Sequence, residues 1–554
     1  MLQQRLRGFG RGMTTAPAIQ AFFANPVVVR DLRAQMRGTK SYWYQGAYLL
    51  LLSVLAVTGY MQAVKAGMYQ TTYGGDGMPL TVFGDPAAIS VVDVQGRLEG
   101  FYNFIFLTLA GLVTLIAPAL TAASITGERQ RLSLDLLVTT PMTAFELLVG
   151  KLLSSVAFLG LLLALSLPAS ALCVLLGGAT IADVFRIYLL LATDGVVLSA
   201  IGLYFSCAAR TNLAALAWTY TAVVGFLAAT YLFGAMGTSG QFGAVQSAPG
   251  LAVAVALLNP FLAVLPLGQG ALFLGPVGIP LWIGAAALAF LGMRLLITAA
   301  SYRLGLYGGA GAVSLRYQTL VVSGIAAFAF AHQSALLRDT GPDSDRVVAA
   351  VAGFFVLLFV FALPFLPGLF VPAKAEDAPP GLTESEMPDD PAPYRARRAL
   401  LPTASGALPY FHLWLGVSLA CYLVGHGLSR GGGDSLFHVF PHLIGVGFYL
   451  SGVGFLLWSV SRLAAVWARG LSAARASACA LFVAILALPA LAMSMTEQGD
   501  WANSPVAPLW MAYPLIKLDD PGMMVKAGLT GTFAYGLGFL MCVLRRRVAP
   551  PGDL

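Results

Sequence analysis

Charged residues are scarce in this chain. Asp, Glu, Lys and Arg make up 10% of its 554 residues, whereas hydrophobic residues make up 58%. Soluble domains carry about 25% charged residues, and a soluble chain this apolar could not cover itself with polar side chains. The composition therefore excludes an ordinary soluble protein. The net charge of +7 does not predict nucleic-acid binding, because the basic residues flank apolar segments instead of covering one polar domain.

Cysteine and histidine are also few, with five residues of each. The cysteines form no CxxC pair, so neither a disulfide framework nor a zinc-binding motif is indicated. His426, His438 and His442 lie near the ends of two apolar segments. They are weak candidates for a zinc or copper site, but histidines at a membrane interface more often bind no metal. No HExxH motif occurs, and we expect no catalytic site and no enzyme activity in this chain.

Long apolar runs recur along the whole sequence and predict an all-α, polytopic transmembrane bundle of about twelve spans. A further apolar segment, 249–276, is interrupted by four prolines and is typical of a re-entrant or interfacial segment. The predicted spans are 45–63, 101–123, 152–176, 185–207, 214–234, 280–300, 317–333, 346–371, 408–428, 436–460, 476–494 and 523–544.

The positions of Lys and Arg predict the orientation. With the N-terminus in the cytoplasm and twelve alternating spans, 24 of the 32 Lys and Arg residues fall in cytoplasmic segments. This excess is the positive-inside bias, and it predicts that both termini are cytoplasmic.

A polar, proline-containing segment at 372–407 divides the second half of the chain. It has too few apolar residues to fold alone, so we interpret it as a flexible cytoplasmic linker. The predicted organisation is a six-span part at 1–305, further spans at 306–371, the linker at 372–407 and C-terminal spans at 408–554. The two halves each hold six spans, but the motifs of the first half do not recur in the second.

The first informative cytoplasmic segment follows Asn25-Pro26, which is a typical helix start. At 100° per residue, Val28, Val29, Leu32 and Met36 share one face, and Arg30, Arg33, Arg37 and Lys40 gather on another. This pattern predicts an interfacial amphipathic helix with its apolar side in lipid. The alternative is an ordinary basic flank of the first span.

The second informative segment, 124–151, joins the second and third spans. It mixes charged residues with leucines, and Thr140-Pro141 followed by Thr143-Ala144-Phe145-Glu146 indicates a helix start with a capping box. Such a stretch can place an apolar side on another protein while its charged side stays in water. A loop that only connected two spans would not need this pattern.

Both segments resemble those of the type-2 ABC exporter permeases, over roughly residues 20–300. Members often start with Asn-Pro and a basic helix, and then carry a Gly-Glu-Arg stretch, a Leu-rich run, Thr-Pro and Gly-Lys. The corresponding residues in this chain are Arg30-Asp31-Leu32-Arg33, Gly127-Glu128-Arg129, Ser133-Leu134-Asp135-Leu136-Leu137, Thr140-Pro141 and Gly150-Lys151. Ser133 and Asp135 depart from the usual Thr and Glu, and the six further spans depart from the family's six-span core.

The resemblance implies that this chain is the membrane-spanning permease subunit of an ATP-driven exporter in a bacterial inner membrane. The loop at 124–151 would be the coupling helix that docks on a separate ABC ATPase, and the helix at 26–40 would be the elbow, with Arg30, Arg33 and Arg37 on its basic side. A second permease chain and membrane lipid are further expected partners. The expected ATPase-coupling residues are Glu128, Arg129, Arg131, Asp135, Thr140 and Pro141.

ATP binding within this chain is not predicted. A P-loop requires Gly-Lys-Ser/Thr, because the lysine reaches the phosphates and the hydroxyl holds magnesium. Among the six lysines only Lys151 follows a glycine, and Leu152 follows it. ATP and Mg²⁺ would therefore be bound by the partner ATPase, and this chain would hold no cofactor.

Asp194 is a carboxylate in the middle of a predicted span. An ionisable residue at that depth is costly and is a candidate for function. One interpretation is an ion- or proton-coupled secondary transporter or a channel in which Asp194 is the coupling group. The other is a structural residue that is protonated or hydrogen-bonded against a neighbouring helix. A membrane-embedded enzyme or scaffold is a third class of function.

Overall fold

A computed structural model describes part of the chain, and every structural statement below refers to that part. It comprises residues 26–36, 39–65, 69–73, 79–83, 91–131, 144–175, 179–238, 250–264, 271–274, 277–304, 309–336, 400, 407–428, 432–467, 473–474, 476–478, 480–481 and 521–548.

Helices dominate the described residues, and two short hairpins interrupt them. In chain order the helices of the first half are α1 (Pro26–Met36), α2 (Thr39–Lys65), α3 (Val91–Ala122), α4 (Ser124–Gln130), α5 (Ala144–Leu165), α6 (Leu167–Leu175), α7 (Ile181–Ala208), α8 (Asn212–Thr238), α9 (Gly250–Ala256), α10 (Pro260–Ala263) and α11 (Leu281–Arg303). Those of the second half are α12 (Gly309–Leu336), α13 (Ala407–Gly427), α14 (Gly432–Trp467) and α15 (Pro521–Val548). The hairpin strands are β1 (Tyr69–Tyr73), β2 (Pro79–Phe83), β3 (Ala271–Leu274) and β4 (Val277–Pro280).

Six segments of the described chain are long and apolar enough to cross a membrane, which identifies the chain as an integral membrane protein. Three shorter apolar helices lie at Gln45–Met61, Asn212–Ala228 and Gly531–Arg545. The predicted span 346–371 and most of 476–494 lie outside the described residues, as does nearly all of the linker 372–407. The six segments are Gly100–Gln130, Ala144–Leu175, Ile181–Ala208, Leu281–Arg303, Ala407–Gly427 and Leu443–Ala464.

Two segments that connect predicted spans form short β-hairpins, which the all-α prediction did not include. β1 and β2 pair antiparallel with Thr71 opposite Thr81, and β3 and β4 pair with Leu272 opposite Ile279. The first hairpin follows from its β-branched and aromatic residues on either side of the glycine-rich sequence Gly74-Gly75-Asp76-Gly77, because such residues favour strands and glycine favours turns.

The chain divides into two compact units. The first comprises Met1–Leu232, Val255–Gly268 and Ala285–Leu306, and the second comprises Phe233–Ala254, Gln269–Gly284 and Tyr307–Leu554.

A close crossing of α3 and α7 lies at the centre of the first unit. Gly202 permits it, since a Cβ there would meet the Thr121 hydroxyl and would lie 2.7 Å from the Pro118 carbonyl oxygen. The Thr121 hydroxyl donates to the Ser199 carbonyl at 2.8 Å, and the Ser199 hydroxyl donates to the Ala117 carbonyl at 3.2 Å. Lipid chains are as apolar as the side chains of a membrane helix, so the hydrophobic effect does not drive such helices together. Small residues at the contact and hydrogen bonds between the helices stabilise the pair instead.

The predicted span 152–176 is broken into α5 and α6 at Ser166. Pro168 explains the break, because it has no N–H to donate to the preceding turn. The Ser166 hydroxyl forms a 2.7 Å hydrogen bond with the Tyr188 hydroxyl of α7. This bond connects the junction of α5 and α6 to α7.

The proline-interrupted segment 249–276 contains the short helices α9 and α10, of seven and four residues, which cannot span a membrane. Asn259 caps α10 by accepting from the Phe261 N–H at 3.1 Å. Its side-chain amide also donates to the Leu227 carbonyl and the Thr230 hydroxyl of α8, at 3.1 and 3.2 Å. α10 is therefore anchored to α8 by one buried side chain.

The second unit contains two closely packed helix pairs, α12 with α13 and α14 with α15. In the first pair a Cβ on Gly425 would lie 2.5 Å from the Phe328 carbonyl oxygen, so the glycine permits the contact. The Tyr410 hydroxyl donates to the Arg316 carbonyl at 2.9 Å, and the Arg316 guanidinium lies 5.1 Å from the centre of the Tyr410 ring.

Candidate functional site

Helix α1 packs against α5 and also contacts α2. Val27 and Val28 are buried, while Val29, Arg30 and Arg33 are exposed. Val27 and Val28 thus pack against protein, whereas Val29 is an exposed apolar residue; that it lies in lipid stays a prediction. Because the buried valines lie against protein, the apolar side of α1 is at least partly a protein-packing surface.

Four charged residues from α1, α4 and α5 meet beside this contact. We call Arg30, Asp31, Glu128 and Lys151 the charge cluster. Lys151 Nζ lies 2.8 Å from Glu128 Oε1 and 3.4 Å from Asp31 Oδ2. Arg30 Nη2 lies 3.1 Å from the same Glu128 oxygen, and Arg30 Nε lies 2.9 Å from Asp31 Oδ1. Two cations and two anions thus connect three helices with no net charge.

Burial within the charge cluster is uneven. Only 5% of the Lys151 side chain is exposed, against 18% for Glu128 and 49% for Arg30. Burial lowers the pKa of Arg30, but the hydrogen bond and charge of Asp31 and the charge of Glu128 outweigh it and raise that pKa above its usual value. A buried lysine needs a charged partner, so Lys151 is the member that depends most on the others.

The start of α4 is fixed to α7 by Ser206. The Ser206 hydroxyl accepts from the backbone N–H groups of Ile125 and Thr126, at 2.9 and 3.2 Å. Those two N–H groups belong to the first turn of α4, whose donors have no partner within the helix. Ser206 therefore caps α4 from a neighbouring helix.

Arg129 connects α4 to the end of α7. Its guanidinium donates to the carbonyls of Ala209 and Cys207, at 2.8 and 3.2 Å. A cation is favoured there because the last carbonyls of a helix carry partial negative charge. The apolar side of α4 meets a buried cluster of Ile125, Leu148, Leu152, Ala200, Leu203, Cys207, Ile297 and Ala300.

Three of the six predicted coupling residues, Glu128, Arg129 and Arg131, lie in the described part of the structure. Glu128 and Arg129 make the internal contacts above, whereas Arg131 is exposed just after α4. Asp135, Thr140 and Pro141 lie outside the described residues. Of the predicted elbow residues, Arg30 belongs to the charge cluster, Arg33 is exposed and Arg37 lies outside the described residues.

Sequence reasoning did not select Asp31 and Lys151 as site residues. Lys151 is the one lysine next to a glycine and stands at the start of an apolar run. That combination is a signal, because a lysine that enters an apolar helix needs a nearby carboxylate. Nothing in the linear sequence indicates that its partners come from two different helices.

Asp194 lies in the middle of α7 and is fully buried. Neither carboxylate oxygen has a hydrogen-bond partner among the described residues. Its neighbour Gly195 faces two apolar side chains, Leu159 of α5 and Val113 of α3. Among the described residues, this carboxyl group therefore lacks the partner that a structural role would supply.

Of the three histidine candidates, His426 alone has a side chain in the described part of the structure. His426 is buried and stacks on Tyr422, with ring centres 6.4 Å apart. The side chains of His438 and His442 lie outside the described part of the structure. Within that part no three His, Cys, Asp or Glu residues lie close enough together to hold a metal ion.

No family model matches the chain, and no curated protein matches it.

Proposed function

We propose that this chain is the membrane-spanning permease subunit of an ATP-driven ABC exporter. It would cross the membrane about twelve times with both termini in the cytoplasm, and a separate ATPase would dock on residues 124–151. The proposal rests on the order of motifs in the two cytoplasmic segments. The single observation that supports it most is the charge cluster, which joins residues of both segments.

The contacts of α4 with its neighbours would allow it to transmit movement to other helices. Glu128 connects it to α5 and to α1, and α1 contacts α2. Ser206 and Arg129 connect it to α7. A displacement of α4 by a bound protein would therefore be shared by several helices, as alternating access requires.

The motor would be another polypeptide. These 554 residues contain no Gly-Lys-Ser/Thr sequence, and the one lysine that follows a glycine, Lys151, is engaged in the charge cluster. ATP and Mg²⁺ would bind to the partner, whose closure on nucleotide would push α4 and the residues after it.

Co-purification tests this proposal. The tagged chain is extracted from its native membranes in mild detergent, and associated proteins are identified by mass spectrometry. We expect a protein with a P-loop in near-equal amount, and we expect it to be lost when residues 128–140 are deleted. The proposal is contradicted if that deletion variant is monodisperse and still retains the ATPase.

The deletion also removes Glu128 and Arg129, so a second variant separates docking from folding. Arg131→Glu reverses an exposed charge beside α4 and leaves the internal contacts in place. Arg303→Glu, at the exposed end of α11, is the matched control. Loss of the ATPase with the first variant but not with the second would support docking at this loop.

The second candidate function is an ion- or proton-coupled secondary transporter or channel that uses Asp194. It is favoured by the burial of this carboxyl group without a described partner. Purified chain in proteoliposomes, without any ATPase, provides the test. Proton or cation flux that Asp194→Asn abolishes would favour this function, and transport that needs ATPase and survives Asp194→Asn at all pH values would exclude it.

A further inference from the structure

Two exposed arginines lie next to the charge cluster. Arg33 follows Arg30 by three residues on α1, and Arg131 follows Glu128 by three residues at the end of α4. Residues three apart on a helix lie on the same face, with Cβ atoms about 5–6 Å apart. Arg30 Nη2 lies 3.1 Å from Glu128 Oε1, so Arg33 and Arg131 each lie about one helical turn from that ion pair.

The charge that this surface presents is positive. The charge cluster holds two cations and two anions, and its carboxylates are mostly buried, with 19% of Asp31 and 18% of Glu128 exposed, against 49% of Arg30. Arg33 and Arg131 add two positive charges on exposed side chains. We call Arg30, Arg33 and Arg131 the arginine face.

The arginine face changes the kind of partner that this surface fits. Glu128 was expected to contact a partner protein, but its Oε1 atom contacts both Lys151 and Arg30 within the chain. A protein that docks beside α4 would therefore meet guanidinium groups before it meets this carboxylate. Guanidinium groups bind carboxylates through parallel N–H bonds, so the complementary surface is acidic.

The acidic residues of the two cytoplasmic segments are too few to neutralise the basic ones. Residues 1–44 and 124–151 together hold ten Lys and Arg residues but only four Asp and Glu residues, which are Asp31, Glu128, Asp135 and Glu146. This excess of six positive charges follows from the sequence and holds wherever the individual side chains lie. The polar segment 372–407 holds six acidic and four basic residues, so its net charge of −2 leaves most of the excess in place.

We propose that the ATPase that docks on residues 124–151 presents an acidic groove to the arginine face, so that α1 and α4 together form the docking surface. This inference rests on the proposed function and names the chemistry of the partner's surface. α1 and α4 meet at the Arg30–Glu128 ion pair, so a protein that contacts the end of α4 also reaches Arg33. Opposite charges on two surfaces speed their association and fix their orientation.

Anionic lipid headgroups are the other class of surface that binds exposed arginines. An interfacial helix binds lipid through its apolar side, but Val27 and Val28 of α1 are buried and the helix packs against α5. Arg131 lies in the loop that would receive the ATPase. These contacts favour a protein partner for the arginine face.

The test uses the full-length chain in phosphatidylcholine nanodiscs, which carry no anionic lipid, and the ATPase identified by co-purification. The affinity of the two is measured at low and at high salt. We expect high salt to weaken binding, because it screens exposed charges. We expect Arg33→Gln to weaken it about two- to fivefold and Arg33→Glu about tenfold, because reversal replaces an attraction by a repulsion. Arg303→Glu, at the exposed end of α11, is the matched control and should change nothing.

A charge swap separates direct contact from an effect on folding. Lysine in place of an acidic residue of the ATPase groove should restore the binding that Arg33→Glu weakens, and both variants of the chain should elute as the unmodified protein does. If no ATPase binds the unmodified chain, the proposed function and this inference both fail. If the ATPase binds but neither salt nor Arg33→Glu changes the affinity, only the acidic groove is wrong. An effect of Arg33→Glu that appears only in nanodiscs with phosphatidylglycerol would assign α1 to lipid and overturn the inference as well.

Discussion

Neutralising Lys151 should destabilise the first unit more than any other single change in the charge cluster. Lys151→Met removes the cation that contacts both Glu128 and Asp31, at 2.8 and 3.4 Å. Arg30 still contacts both carboxylates. Removing one partner of a fully buried ion pair costs about 3–5 kcal/mol. Because both carboxylates keep some contact with solvent and with Arg30, we expect the lower part of that range, about 3 kcal/mol.

A double-mutant cycle separates this interaction from other effects of the substitution. The variants are Lys151→Met, Glu128→Gln and the combination, with free energies of unfolding measured in mixed micelles. Residues that interact directly show coupling energies of about 0.5–3 kcal/mol, and we expect about 2 kcal/mol here because Lys151 is almost wholly buried. Arg131→Met, an exposed basic residue beside α4, is the control and should change stability by less than about 0.5 kcal/mol.

The reasoning would be refuted by additive effects. If the double variant loses the sum of the two single losses, Lys151 and Glu128 do not stabilise each other, and α4 is not held to α5 by charge. A Lys151→Met variant as stable as the unmodified chain would contradict it as well.

Two further predictions concern residues that stabilise the packing of α4 and α7. Ser206→Ala removes the acceptor for the first N–H groups of α4, including that of Ile125, and should cost about 1 kcal/mol in the same unfolding assay, as the loss of a helix cap does. A stability loss near zero would show that water replaces the hydroxyl. Gly202→Ala should cost about 1–3 kcal/mol, because the added Cβ meets Thr121 and cannot be accommodated without moving α3. Gly111→Ala on α3, where a Cβ meets nothing, should be neutral or stabilising, and equal effects of the two substitutions would contradict the close crossing.

Hydropathy predicted the centres of the helices well, because burial in lipid acts on whole segments. The predicted ends were less accurate: the apolar segment predicted at 101–123 starts at Gly100, as expected, but continues to Gln130. The break between α5 and α6 was missed, although Pro168 marks it, because a run of apolar residues continues through it. The first hairpin was not predicted either, because its Thr and Tyr residues are too polar for a membrane span and hydropathy does not identify short strands.

The candidate site was only partly predictable. Glu128 and Arg129 were expected to contact a partner protein. In the structure both make contacts within the chain, Glu128 with Lys151 and Arg129 with the Ala209 carbonyl. A sequence shows which residues carry charge, but it does not show that Lys151 is near enough to neutralise Glu128. Pairing across more than twenty residues depends on the packing of α1, α4 and α5, and no local pattern encodes it.

Photo-crosslinking from position 131 in native membranes tests the proposed function most directly. A benzoylphenylalanine replaces Arg131, the exposed residue beside α4, and the crosslinked protein is identified by mass spectrometry, with position 303 as the control. The account predicts an adduct with an ATP-binding protein from position 131 only, and a change in its yield when a non-hydrolysable ATP analogue is added. An adduct pattern that is the same from both positions and contains no ATP-binding protein would contradict it.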